Sequence, residues 1–91
     1  MEDEPVRIPI EDVLDLHTFA PAEIESVVEE YLLAAREKFH SVRLIHGKGI
    51  GFQRDRVRRL LGRLDFIERF HDAPEQAGGW GATIVFFRAR F

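Results

Sequence analysis

Two short stretches carry side chains able to do proton-transfer or phosphate chemistry. The first is Asp15-Leu16-His17, in which an acid and an imidazole stand two residues apart. On an extended strand that spacing sends both side chains to one face, where the carboxylate can orient the imidazole or both can act on one bound group. The same pair on a surface also serves as a simple capping arrangement. The second stretch is His46-Gly47-Lys48-Gly49-Ile50-Gly51. Alternating glycines let the backbone turn sharply and approach a ligand closely, and Lys48 sets a positive charge among them. Phosphate is the ligand that such a loop suits. The familiar glycine motifs are excluded: a Walker loop needs Ser or Thr after its Lys, where Gly49 stands, and the dinucleotide fingerprint needs a glycine at Phe52 or Arg54. A turn of backbone N–H groups at a helix N-terminus remains, with Lys48, Arg54 and Arg58 nearby, which makes a general anion site.

The elements that must position these residues follow from periodicity. Residues 13–17 (VLDLH) alternate, with Leu14 and Leu16 on one side and Asp15 and His17 on the other, as a strand with one buried face does. Pro21 suits a first helical turn, and Ile24, Val27, Val28, Tyr31, Leu32, Ala35 and Phe39 recur at helical spacing, predicting a helix over 21–39. Residues 42–46 form a second strand. Val57, Leu60, Leu61 and Leu64 mark a second helix whose opposite face carries arginines. Residues 66–71 read as a third strand, 72–81 as a Pro- and Gly-containing loop, and 82–90 as a fourth strand with an apolar centre.

The order βαβαββ predicts an α/β two-layer sandwich, a four-stranded mixed sheet with two helices on one face. Leu14, Val28, Leu32, Leu44, Leu60, Leu61 and Ile84 are expected in its core. Parallel strands joined by a crossover helix end at the same edge of the sheet, so Asp15, His17, His46 and Lys48 are expected to converge there. Metal binding is the rival use of these side chains. It ranks below phosphate contact, because two histidines and a carboxylate on separate strands have no recognisable ligand spacing.

Composition sets the outer limits. With 91 residues, 45% hydrophobic and 32% charged, the chain suits one small domain, expected over residues 12–91 behind an acidic arm at 1–11. The absence of cysteine excludes a disulfide framework and a thiolate metal site, and a reducing cytoplasm is the expected compartment. The N-terminus is acidic where a secretory signal is basic, and no apolar run approaches the roughly 18 residues that a membrane span needs, so no membrane association is expected. The net charge of −3 is unevenly spread: residues 1–40 hold 11 acids and 3 bases, whereas 41–71 hold 3 acids and 8 bases. Arg43, Lys48, Arg54, Arg56, Arg58, Arg59 and Arg63 therefore gather around and after the glycine loop, a local basic patch on an acidic chain. Trp80, within the Gly78–Gly81 turn, offers an aromatic ring on which a nucleobase can stack.

Three segments in this order, "LDLH" at 14–17, "HGKG" with Gly51 at 46–51, and "GGWGAT" at 78–83, resemble the Smr (small MutS-related) domain family. The resemblance covers roughly residues 12–88. It implies a fold like the C-terminal domain of translation initiation factor three, with the last strand inside the sheet. It also implies nucleic-acid endonuclease activity, on DNA in some members and on RNA in others, including nucleases that cut messenger RNA at collided ribosomes. Asp15 and His17 match the motif on which cleavage depends. His46, Gly47, Lys48 and Gly49 match the nucleic-acid-contacting loop, and Gly79, Gly81 and Thr83 match the glycine-rich turn before the last strand. One departure is visible: the family commonly has Gly after LDLH, where this chain has Thr18 and then Phe19.

For an RNA substrate, Asp15 or His17 would take the 2′-hydroxyl proton while Lys48, His46 and loop amides stabilise charge on the phosphate, and no metal is required. For DNA, water must be the nucleophile, and a divalent ion held by Asp15 becomes useful. Three readings stay open at this point: an endonuclease (a hydrolase or a phosphodiester transesterase) acting on RNA or DNA, a non-catalytic nucleic-acid or ribosome-binding module, and a protein-interaction domain with a structural glycine turn.

Overall fold

A computed structural model describes residues 10–49 and 51–89 of the chain. Strand β1 (Val13–Asp15) runs through a 3₁₀ turn at Pro21–Glu23 into helix α1 (Ile24–Ala35). Strand β2 (Ser41–Ile45), helix α2 (Phe52–Leu61) and strand β3 (Ile67–Asp72) follow, and 3₁₀ turns at Glu75–Ala77 and Gly79–Gly81 lead into strand β4 (Ala82–Phe87). The sheet order is β1-β2-β4-β3, with β1 parallel to β2 and β4 antiparallel to both β2 and β3. The expected βαβαββ order and interior last strand are thus both present.

The predicted helix over 21–39 divides into three parts. Pro21 cannot donate a backbone hydrogen bond and begins a 3₁₀ turn, which Glu23 closes by accepting the Ala20 N–H at 3.2 Å. The α-helix itself ends at Ala35, whose carbonyl accepts the N–H groups of both Lys38 and Phe39 at 2.9 Å. That tight turn brings the Phe39 ring onto the core. The buried stripe of α1 is Ile24, Val28, Leu32 and Ala35, and that of α2 is Val57, Leu60 and Leu61. Both pack on the sheet face that carries Leu44, Val42 and Val85. Each fully buried aliphatic side chain contributes about 1.5–3 kcal/mol relative to exposure.

Register decides which residues of each strand belong to that face. Leu14 pairs with Leu44, and Leu44 pairs with Thr83, so these three share the helix side. Ile84 pairs with Arg43 and sits on the opposite face, half-buried and outside the core cluster. The expectation that Ile84 is a core residue is therefore corrected to Val85, which is fully buried. The run TIVFF is apolar on both faces, so alternation could not set its phase. On the open face, Phe86 is covered by the Arg69 guanidinium 3.7 Å above its ring, with His71 packed beside it.

Most of the expected acidic arm, residues 1–9, lies outside the described residues. Its last two residues pack on the domain: Ile10 rests against the core, and the Glu11 carbonyl accepts the Tyr31 hydroxyl at 2.6 Å. No helix among the described residues is long and apolar enough to cross a membrane. Burial, together with the negative charges of Asp12 and Glu11, pushes the Tyr31 phenol up to about 12 from 10.0. A raised acid pKa means that the folded state resists ionisation, so stability is complete below pH 10 and is lost as pH rises through about 12. Tyr31 is the sole tyrosine, so tyrosinate absorbance should appear near pH 12 in the native protein and near pH 10 in urea. Identical titration curves in the two states would show that Tyr31 is not held against Glu11.

Candidate active site and nucleic-acid interface

Asp15 ends β1 opposite Ile45, and the Leu16 N–H extends that ladder by donating to the Ile45 carbonyl at 2.9 Å. Leu16 is buried, and this anchor turns His17 back over Asp15. Asp15 Oδ1 accepts the His17 backbone N–H at 2.9 Å and lies 2.6 Å from the ring Nδ1. These bonds hold the Asp15 carboxyl below its usual range, so it is an ionised, acceptor-only group. His17 Nδ1 must then carry the proton, and when the ring is neutral Nε2 carries a lone pair. Both side chains are more than half exposed. His17 Nε2 faces Gly47, where an added Cβ would stand only 2.9 Å from it. Gly47 also has φ +84°, which side-chain-bearing residues rarely adopt. A glycine here keeps the basic nitrogen of His17 uncovered.

His46 plays a different part from the one its sequence position suggests. It is 7% exposed, on the helix side of the sheet, with Nδ1 3.1 Å from the Gly47 carbonyl and Nε2 2.8 Å from Thr83 Oγ1. A carbonyl only accepts, so Nδ1 carries the proton and the Thr83 hydroxyl donates to Nε2. Burial depresses the His46 pKa, and the charges of Arg54 and Arg58 add to the effect against the opposing hydrogen bond to Gly47. The ring is a neutral strut. The loop above it is fastened again where the Gly81 carbonyl accepts both the His46 and Gly47 N–H groups, at 3.0 and 2.8 Å. At Gly81 a Cβ would stand 2.9 Å from Lys48 Cγ and 3.3 Å from the loop backbone, so any side chain there would press on Lys48 and the loop.

The structure brings Asp15, His17, Gly47 and Lys48 to one edge of the sheet, as parallel strand ends require. Lys48 and Gly49 are exposed, and Gly47 and Gly51 are half-buried. A cavity of about 220 Å³ is bounded by Gly47, Lys48, Gly51 and Phe52. Thr83 is fully buried and His46 nearly so, and their ring-to-hydroxyl hydrogen bond holds the loop from inside the fold. Gly79 and Gly81 are buried likewise, while Trp80 between them is 41% exposed.

Arg54 and Arg58 converge on Asp72 rather than on the loop. Their guanidinium nitrogens lie 2.9 and 2.6 Å from Asp72 Oδ1, and these bonds hold the Asp72 carboxyl below its usual range. Sequence reasoning missed Asp72, since nothing local marks an acid ending one strand as the partner of a helix 14 to 18 residues earlier. It also missed Phe52, the exposed first residue of α2. Its signal was present as an apolar residue off the Val57–Leu60–Leu61 stripe. Thr18 is exposed, whereas Phe19 packs against the core, and its N–H donates to the Leu16 carbonyl at 3.2 Å.

Comparison with known proteins decides the family. The Smr domain pattern matches residues 14–88. The chain belongs to the Smr domain family. It is 40% identical over 79 residues to a protein of Carboxydothermus hydrogenoformans named endonuclease MutS2, and 40% identical over 76 residues to its namesake from Thermus thermophilus. Each match covers 82% of this chain and 10% of the relative, so the Smr domain described here corresponds to about a tenth of those proteins. The crystal structure of the Smr domain of Thermus thermophilus MutS2 superposes with a TM-score of 0.79 at 38% identity, covering 85% of this chain and 98% of that one. YdaL, a stand-alone small MutS-related protein from Escherichia coli, superposes with a TM-score of 0.80 at 27% identity, covering 89% and 67%.

Within this Smr domain, the His46–Thr83 strut makes the loop sensitive to acid. A histidine with a depressed folded pKa contributes full stability above its ordinary value of 6.5, and that stability is lost as pH falls toward the folded value. Urea unfolding at about pH 7.5 and about pH 5 should therefore show a smaller acid-induced loss in His46→Gln than in the parent protein. Thr83→Val should cost about 1–3 kcal/mol at neutral pH, because it leaves a buried ring nitrogen unsatisfied.

Proposed function

We propose that this Smr domain is a nucleic-acid endonuclease in which Asp15 and His17 transfer the proton at a phosphodiester, with RNA as the favoured substrate. The observation that carries this reading is the 2.6 Å Asp15–His17 bond, which directs the free Nε2 to the uncovered backbone of Gly47 beside Lys48. A base oriented by a carboxylate, next to a cationic loop, is the arrangement that general base catalysis requires. The relatives named endonuclease MutS2 support the same reading.

On RNA, His17 Nε2 accepts the 2′-hydroxyl proton as O2′ attacks phosphorus and the bond to the 5′-oxygen breaks. Asp15 stabilises the imidazolium that forms. Lys48 sits where charge develops on the phosphate oxygens. The leaving 5′-oxygen takes up a proton, from the imidazolium or from water, and the products are a 5′-hydroxyl and a 2′,3′-cyclic phosphate. DNA lacks the internal nucleophile, so nicking it needs an activated water and suits a divalent ion. The pair's own geometry supports the RNA route: Asp15 Oδ1 is bound twice by His17, which orients the imidazole as a base for an internal hydroxyl. The chemistry fits RNA in general, and the resemblance to Smr nucleases that cut messenger RNA at collided ribosomes makes cytoplasmic messenger RNA on a stalled ribosome the substrate proposed within that class.

Asp15→Ala and His17→Ala should each lower the cleavage rate of labelled RNA by about 10²-fold or more while leaving affinity nearly unchanged, with cleavage persisting in chelator. Variants that cut as fast as the parent would remove the catalytic assignment. If the parent cuts neither RNA nor DNA but still binds them, the chain is a binding module. Binding itself should be salt-dependent, and Lys48→Ala should reduce the slope of log affinity against log salt by about one. Arg58→Ala should change that slope less, because Asp72 already occupies its guanidinium.

A further inference from the structure

Among the described residues three large apolar side chains stand in solvent: Leu33, Phe52 and Trp80. Two of them border the same glycine loop. Phe52 lines the loop cavity together with Gly47 and Lys48, and Trp80 precedes Gly81, which is packed against Lys48 from the turn before β4. They are 56% and 41% exposed. An isolated exposed aromatic needs no explanation, but here one lines a cationic loop and a second adjoins the glycine packed against that loop.

The Phe52 ring is also held in place. The Arg56 guanidinium lies 5.1 Å from its centroid, and Arg56 is itself fixed by donating from Nη1 to the Pro21 carbonyl. One ring face is thus backed by a cation, while more than half of the residue stays exposed. Such a backed ring offers a flat apolar surface whose ordering cost is already met. The adjoining cavity of about 220 Å³ is below the ~300–1,000 Å³ range of clefts that enclose a drug-sized ligand, so it has room for a single flat group.

We propose that Phe52 and Trp80 are stacking platforms for unpaired nucleobases on either side of the phosphate at Lys48 and His17, so that the site takes single-stranded rather than duplex nucleic acid. This rests on the nucleic-acid reading of the same site and adds its substrate class. In a duplex both faces of each base are already stacked, and reaching either ring would first cost unstacking. In a single strand the faces are free, and stacking on an aromatic ring tolerates any base. The phosphate supplies position, and the two rings supply the discrimination between single and double strands.

Trp80 is the only tryptophan in the chain, so its fluorescence reports one platform directly. The full chain is titrated with a single-stranded 2′-O-methyl RNA, which blocks the internal nucleophile, with the same sequence as a duplex, and with an abasic strand carrying the same number of phosphates. The single strand should quench Trp80 and bind about tenfold or more tighter than the other two, which should leave the emission unchanged. Phe52→Ala should weaken single-strand binding by about tenfold without affecting the abasic strand, and Phe52→Tyr should restore it. Equal affinities for all three probes with no quenching would overturn the stacking platforms while leaving the endonuclease reading intact. Failure of every probe to bind would overturn both.

Discussion

The working edge of this domain depends on one carbonyl. The Gly81 oxygen accepts the N–H groups of His46 and Gly47 and thereby ties the loop after β2 to the turn before β4. β4 lies between β2 and β3, so the first residues of β4 run beside the last residues of β2, and the loops at that edge must meet. Meeting at hydrogen-bond distance requires that no side chain intervene, and the tight contact of Gly81 with Lys48 shows how little space is left. The buried His46–Thr83 bond repeats the same tie one layer below. Two strands, joined at backbone and side-chain levels, hold Lys48 at the rim.

The Asp15–His17 pair is an addition to that edge. β1 is short, and its parallel pairing with β2 ends at Asp15. The chain then turns, and His17 comes to rest between Asp15, which fixes one ring nitrogen, and Gly47, which leaves the other uncovered. Each partner is local to a different strand end, so the arrangement exists only when β1 and β2 are paired in this register. A slip of one residue would turn Asp15 to the buried face and Leu16 to solvent.

Electrostatics on the two sides of the loop differ in kind. On the α2 side, Arg54 and Arg58 are partly buried and matched by Asp72, so their charge is mostly balanced where it stands. Their remaining influence falls on His46, which they help keep neutral. On the solvent side, Lys48 is exposed at the same edge as His17 and the ionised Asp15. Two basic segments that look alike in a charge count thus do different work: one stiffens the helix and strand behind the loop, and the other faces outward.

Periodicity alone determined the order of elements, the buried stripes of both helices and the layered sandwich, because those depend on spacing within one segment. Spacing also singled out Asp15 with His17, whose bond spans two residues, and the glycine loop, whose freedom belongs to the residues themselves. Tertiary structure decided the rest. Ile84 and Val85 are equally apolar, and only pairing with Arg43 and Val42 sends the first to the open face and the second to the core. His46 reads as a ligand until Thr83, 37 residues away, takes its second nitrogen inside the fold. Arg54 and Arg58 read as free cations until β3 delivers Asp72. In each case the deciding partner lies on another strand, and short-range hydrogen bonds and salt bridges carry no trace in sequence of which distant residue the sheet will bring within 3 Å.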